Sequence, residues 1–473
     1  MNPFRNIFQL SVGDLLAKAL NFAAFIYLAR VLGVSNYGVL EFAISLMTYF
    51  LLIADGGLEV WATREVARGT EIRQLVRRVV PLRFLMAIVS FITLLLLMSS
   101  FPNYASLRTI LVLFGLTLFT QAMSLKWVFM GQEKMTRVAG GLVIAQVVFA
   151  VTVFAAVRDA SDIVWVPALR LAGEGAMALY FVRLFRATHG SLRLGPVLRG
   201  ARDVLRSALT IGASHALALA NYNFDSIVIG FLLGSSAVGL YGAAYKPVTV
   251  LLAMPLTYFV GLFPTLARTY TEDRAAFGLM VTRSFRLTSI FAVPIGVGGV
   301  FLAGPAIDLL FGADYSNSVQ VFQILCWSGS LVILRGTYRQ SLNAAGRATL
   351  DLRCAGASAG LNVALNLLLI PRYGILGAAV ATVVAEMLWF TLAAYYFQHH
   401  VAPLRLLPFL FHPALAGIAM AGCFLVSQPL FWGFQAVLSV VVYFGTLLLL
   451  GGTEALSWLQ GRRARLPVSS LGD

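Results

Sequence analysis

What the chain lacks narrows its class before any motif is read. Charged residues make up 12% of its 473 residues, against roughly a quarter in a soluble globular domain. Water is therefore not the main solvent of this fold. Only three cysteines are present, Cys326, Cys354 and Cys423, far apart and set in apolar sequence. An odd, scattered set gives neither a disulfide framework nor a metal site, and small core residues are the expectation. The five histidines, His189, His215, His399, His400 and His412, show no metal-ligand spacing. A nucleophile motif and a Gly-rich phosphate loop with its Lys are missing too. No hydrophilic stretch is long enough for a separate soluble domain, and no cofactor is expected.

What is abundant is apolar sequence, at 59% of residues. Runs of about twenty such residues can each cross a hydrocarbon core; Ile88 to Leu97 and Leu361 to Ile370 are parts of two of them. Punctuation by Gly, Pro, Asn and charge predicts an all-α integral membrane protein of about fourteen transmembrane helices. They start near residues 8, 38, 79, 107, 138, 163, 204, 237, 285, 318, 350, 374, 406 and 432. The first apolar stretch carries Asp14 and Lys18 and lacks a small-residue cleavage site, so it is expected to stay as an anchor.

The formal charge of +15 sits in short clusters between apolar segments, not on one polar module, so membrane topology explains it and nucleic acid does not. One set of loops holds Arg64, Arg68, Arg73, Arg77 and Arg78; Lys134 and Arg137; Arg186, Arg193, Arg199 and Arg202; Arg268, Arg274 and Arg283; Arg347 and Arg353; and Arg462, Arg463 and Arg465. The intervening loops, among them Ser100 to Ser106, are nearly free of Lys and Arg. The positive-inside rule puts the first set, and both termini, in the cytoplasm of a cytoplasmic (inner) membrane protein.

An internal duplication is visible. Leu32-Gly33 before Tyr37-Gly38 is matched by Leu233-Gly234 before Val238-Gly239, and Gly57-Leu58 before Arg64 by Gly261-Leu262 before Arg268. Two six-helix lobes with a cavity between them follow, related by an axis along the membrane normal. The expected divisions are an N-lobe at 1–200, a C-lobe at 201–403, an additional helix pair at 404–453 and a cytoplasmic tail at 454–473.

Three patterns carry a resemblance: Ala29-Arg30-x-Leu32-Gly33 with Tyr37-Gly38; Asp55-Gly56-Gly57-Leu58 leading to Arg64-Glu65; and Asp225 with Ile229-Gly230, Gly234, Gly239 and Tyr241. In these the chain resembles the polysaccharide transport family, which includes the O-antigen flippases, of the multidrug, oligosaccharidyl-lipid and polysaccharide exporter superfamily. The resemblance implies two pseudo-symmetric lobes around a central cavity, alternating access, and an extra helix pair able to cradle a lipid tail. It implies as cargo a polyprenyl-diphosphate-linked oligosaccharide for surface polysaccharide synthesis, with a polymerase and other assembly proteins as partners.

Ionisable groups inside the spans are candidates for a pathway, because each costs a few kcal/mol in hydrocarbon. Lys18, Lys246, Arg335 and Arg339 are expected to lend the cavity a positive field for a diphosphate, Arg binding it bidentately and Lys as a point charge. Simpler readings stand beside this one. Asp14 lies one turn before Lys18, and Arg170 and Glu174 repeat that spacing, so both can be local pairs. Arg335 and Arg339 repel unless an anion or carboxylate lies between them. Asp225 could pair with a base, bind a coupling cation such as a proton or sodium, or contact sugar; Glu386 is a second coupling candidate or a partner for an Arg.

Three rival functions compete with this reading. A multidrug exporter of organic cations has the same fold. A membrane polysaccharide polymerase or ligase would carry a large periplasmic loop, which is missing. A scaffolding protein would not need duplicated lobes with buried charge.

Overall fold

The computed structural model describes residues 3–99, 105–192, 194–196, 201–427 and 430–450. Arg193, Arg199, Arg462, Arg463, Arg465 and the tail 454–473 lie outside the described residues. So do positions 100–104 and the side chains of His215, Asn221 and Tyr222.

Hydrocarbon offers no partner to a bare N–H or C=O, so a spanning chain must satisfy its own backbone. Every described element is accordingly helical. In order they are α1 (Pro3–Asp55), α2 (Leu58–Ala67), α3 (Ile72–Ser99), α4 (Ala105–Gly115), α5 (Thr117–Met123), α6 (Lys126–Gly131), α7 (Met135–Ala156) and α8 (Trp165–His189). Then come α9 (Ala201–Leu233), α10 (Ser235–Leu251), α11 (Ala253–Glu272), α12 (Arg274–Phe311), α13 (Ser318–Ala344), α14 (Ala348–His400), α15 (Phe411–Val426) and α16 (Trp432–Leu449). Among the described residues nine helical spans are long and apolar enough to cross a membrane, and ten if α10 and the stretch Pro255–Glu272, bent by 40°, count as one. Two are of double length. At 1.5 Å per residue a straight 53-residue helix would run about 80 Å, more than twice the roughly 30 Å hydrocarbon core. Each breaks at a glycine, α1 at Gly33 (φ 72, ψ 169) and α14 at Gly374 (φ 61, ψ −143).

The chain forms two compact units. The first holds residues 1–254, 307–318 and 355–381, and the second holds 255–306, 319–354 and 382–473.

Within the first unit the repeated glycines have a shared physical cause. Gly33 and Gly234 (φ 86, ψ 179) adopt nearly the same conformation, one that L side chains rarely enter. Five residues on, Gly38 and Gly239 meet. A Cβ on Gly38 would strike the Ser235 carbonyl, and one on Gly239 the Val34 carbonyl. The second half of α1 therefore touches α10 backbone to backbone, the close packing that small residues permit where lipid removes the hydrophobic drive between helices. Gly230 leaves room for the Phe42 ring in the same way.

The other motif positions end helices. Arg30 donates from Nε to the Leu310 carbonyl at 2.9 Å and from Nη2 to that of Leu309, closing the negative C-terminus of α12. The Asp55 carboxylate accepts from the Gly57 and Glu59 N–H groups at 3.2 Å, starting α2 after the left-handed Gly57. Arg64 lies in the last turn of α2, where the helix dipole favours a cation.

In the second unit α15 and α16 pack on α12. Met420, Phe424, Tyr443 and Leu447 are buried against Val293, Val297 and Phe301, and Tyr443 Oη donates to the Ile290 carbonyl at 3.0 Å. Pro294 lies inside α12, Pro247 inside α10 and Pro264 inside α11. Cys326 and Cys354 are buried and Cys423 half-buried, all with free thiols.

Gly239→Val places a side chain against a carbonyl that cannot rotate away. It is expected to cost about 1–3 kcal/mol, read as a lower unfolding temperature in detergent. Gly261→Ala, where nothing lies within 4 Å, should leave that temperature unchanged or raise it.

Candidate functional site

Both halves of α1, together with α8 and α10, wall a cavity of about 240 Å³ in the first unit. Its polar lining is Asn21, Thr48, Thr117, Arg170, Glu174 and Lys246. Arg170 and Glu174 face it as an i,i+4 pair on α8, Nε to Oε1 at 3.1 Å. Arg170 Nη1 donates to Asn21 at 3.3 Å and Gln146 at 3.4 Å, and Gln121 donates to Glu174 at 3.2 Å. The pair is thus tied to α1, α5 and α7. Lys246 pairs with Glu41, 205 residues away in sequence, and its Nζ lies 3.5 Å from the centre of the Phe25 ring. Glu41 carried no signal in the sequence because its partner is supplied only by the α1–α10 contact. Lys18 pairs with Asp14 at 2.6 Å, and the two side chains are 48% and 39% exposed.

The second unit holds the remaining cations. Arg335 and Glu386 form a two-pronged pair, with Nη2 to Oε1 at 3.3 Å and Nε to Oε2, and the residues are only 2% and 3% exposed. Arg335 stacks on Trp389 at 3.7 Å from the ring centre, and Arg339 lies 5.8 Å from it. Arg339 has its own carboxylate, Asp351 at 3.2 Å, and its side chain is 39% exposed. The repulsion expected between the two arginines is answered by one carboxylate each and an aromatic face.

Asp225, 2% exposed, accepts from Tyr241 Oη at 2.7 Å and from the Asn366 amide. The same Asn366 Nδ2 donates to Asn362 Oδ1 at 2.9 Å, while Asn366 Oδ1 is buried without a hydrogen-bond partner. A half-turn of that amide would bring three oxygens, one of them from a carboxylate, towards one point. Such a donor set suits a hard monovalent cation and repels itself without one. No group of three or more His, Cys, Asp or Glu suited to a metal exists among the described residues.

A further network escaped the sequence reading. Arg83, 3% exposed, reaches Asp55 at 3.3 Å, Glu59 at 3.7 Å and the Ser124 carbonyl at 3.0 Å, and Lys126 reaches Glu59 at 2.7 Å. It lines a second cavity of about 240 Å³ with Gln121. The clue in the sequence was Arg83 itself, set among apolar residues of α3 after Pro81.

A profile for the family described as polysaccharide biosynthesis proteins matches residues 4–270. The candidate flippase AglR of Haloferax volcanii is 31% identical over 174 residues, 36% of this chain and 36% of AglR, so the match spans about a third of that relative. A candidate O-antigen transporter of Escherichia coli K12 is 24% identical over 350 residues, 71% of this chain and 81% of that protein. Among solved structures, the lipid II flippase MurJ in an inward closed conformation superposes with a TM-score of 0.78 at 14% identity, covering 95% of this chain and 99% of MurJ. An inward-facing MATE multidrug transporter gives 0.65 at 13% identity, covering 83% and 98%. Both likenesses are of fold.

Arg335→Met alone strands the Glu386 charge and should destabilise by about 3–5 kcal/mol, whereas Arg335→Met with Glu386→Leu should recover most of that loss. Thermal unfolding in detergent reads the difference; a double variant no better than the single would refute a pair held by charge.

Proposed function

Because this chain belongs to the family of polysaccharide biosynthesis proteins, we propose that it is a transporter that flips a polyprenyl-diphosphate-linked oligosaccharide across the cytoplasmic membrane by alternating access. The observation that carries the reading is the cavity of the first unit. It offers Lys246 and Arg170 for phosphate charge and Asn21, Thr48 and Thr117 for hydroxyl groups, beside the aromatic faces of Phe25 and Phe149. Relatives described as flippases and O-antigen transporters point the same way, and the fold is that of transporters, not of an enzyme. The MurJ likeness extends over 95% of the chain against 83% for the multidrug transporter, which favours a lipid-linked cargo over an organic cation.

On this reading Lys246 and Arg170 meet the diphosphate in the cavity of the first unit; Lys18 of that unit and Arg339 of the second contribute positive charge to transport, and Arg335, locked to Glu386, positions Trp389 and Arg339. Residues 1–200 and 201–403 act as the two lobes, and 404–453 support the lipid tail. Both termini face the cytoplasm, where the Arg-rich loops lie. The Asp225, Asn362 and Asn366 cluster holds a coupling sodium ion or proton. Polymerase and other assembly proteins receive the flipped product.

Lys18→Gln, Lys246→Gln and Arg339→Gln together should cut surface polysaccharide at least tenfold in a complementation assay, with protein level in the membrane unchanged. Wild-type export would defeat the assignment. Asp225→Asn should make flipping in vesicles indifferent to the sodium or proton gradient that drives the parent; drive retained in full would remove Asp225 from coupling.

A further inference from the structure

The end of the first unit that carries the Arg-rich loops holds more positive charge than its own acceptors can use. Arg73 and Arg77 sit one turn apart at the start of α3, and Lys134 and Arg137 are three residues apart at the start of α7. Both are like-charged pairs at spacings that destabilise a helix. They gather at the C-terminus of α8. Arg73 Nε donates to the His189 carbonyl at 2.8 Å, Lys134 Nζ donates to Gln132 Oε1 at 2.9 Å, and Gln132 Nε2 lies 2.9 Å from His189 Nε2.

A helix C-terminus presents about half a negative charge, enough to explain one of these cations but not four. Glu71 and Glu133 are the carboxylates adjacent in sequence, two against four cations, and Glu71 accepts from Gln74. Arg137 Nη1 is buried without a hydrogen-bond partner. Partial burial, followed by the charges of Lys134, Arg73 and Arg137, lowers the His189 imidazole pKa; burial and then Arg137 lower that of Lys134. The cations therefore feel one another.

Beside Arg73 and Arg77 opens a cavity of about 380 Å³ lined by Glu71, Arg73, Gln74, Val76, Arg77, Phe185 and Ser191, with the Glu71 carboxylate already accepting from Gln74. Its surroundings say what kind of anion fits. Leu85, Ile88, Ile92 and Leu96 of α3 are 37%, 44%, 50% and 65% exposed. At 3.6 residues per turn they lie within about 100° of the Arg77 direction. Leu85 and Ile88 are about 12 and 17 Å along the axis from Arg77, close to the roughly 15 Å depth of one hydrocarbon leaflet. A soluble phosphate uses the cavity alone, whereas a diacyl phospholipid uses the cavity and the stripe.

We infer that the Arg73, Arg77, Lys134 and Arg137 cluster binds the phosphate head group of an anionic phospholipid whose acyl chains lie along α3. The arginines bind phosphate oxygens in a fork and Lys134 adds a point charge. Basic pockets at helix ends take such head groups. The lipid would clamp α3, α7 and α8 together, separately from the cargo cavity of the same unit.

The test uses the full-length protein in detergent, with thermal unfolding followed as phosphatidylglycerol, phosphatidylcholine or inorganic phosphate is added. Phosphatidylglycerol should raise the wild-type midpoint by several degrees, phosphatidylcholine should not, and millimolar phosphate should give less than half of the rise. In Arg77→Gln with Arg137→Gln the rise should vanish. Equal shifts from both lipids, or a shift kept by the variant, would overturn the site, and a full shift from phosphate alone would overturn the lipid as its occupant. Should the double variant not fold, native mass spectrometry of Arg77→Gln, an exposed position, should show at least threefold less retained phosphatidylglycerol than wild type; equal retention counts against the site.

Discussion

In hydrocarbon a charge has to bring its own neutralising partner, and that requirement organises the polar interior of both units. An ion alone in a span costs a few kcal/mol. Lys246 is matched by Glu41, Arg170 by Glu174, Arg335 by Glu386, Arg339 by Asp351 and Arg83 by Asp55 and Glu59. A cation so committed does not wait as an open ligand for phosphate. Under the proposed function, a diphosphate must compete with a carboxylate, and the pairs that can exchange partners are those with solvent access. Arg339, with a 39% exposed side chain, meets that condition and Arg335, at 2%, does not.

The same solvent dictates how the helices meet. With no hydrophobic gain from pressing one apolar helix on another in lipid, contact area and close approach decide packing. Gly38 and Gly239 supply that approach from matching positions of a recurring glycine pattern, each five residues after a glycine of positive φ. The recurring pattern thus yields a self-complementary contact, reinforced by Ser35 and Ser235, whose hydroxyls lie 3.3 Å apart. The contact in turn carries Lys246 to Glu41, so the backbone geometry of a glycine motif fixes an electrostatic feature of the candidate site.

These relations also explain what the sequence could and could not disclose. Hydropathy revealed the all-helical membrane class because it reports the solvent directly, and the glycine motifs revealed the family because their backbone need is local. The pairs Asp14–Lys18 and Arg170–Glu174 were legible for the same reason, lying one turn apart. Lys246–Glu41 and Arg335–Glu386 join residues 205 and 51 apart, and their pairing exists only once the helices have met. The like charges of Arg335 and Arg339 signalled that an anion was needed, but not that Glu386 and Asp351 would supply it separately. Asn362 and Asn366 carry no local signal within their apolar helix, and only the contact with Asp225 sets them apart.

The last helix pair shows what packing adds where hydrocarbon is the solvent. α15 and α16 spend one stripe on α12, through Met420, Phe424, Tyr443 and Leu447. Their other faces are left apolar and open, with Ile418 68%, Val426 84%, Val437 64% and Leu449 89% exposed. An apolar outer face is what any helix bordering hydrocarbon requires, whatever the cargo, because a polar group there would find no partner. What is particular to the pair is therefore its inner stripe, where side-chain packing and the hydrogen bond from Tyr443 to the Ile290 carbonyl join it to α12.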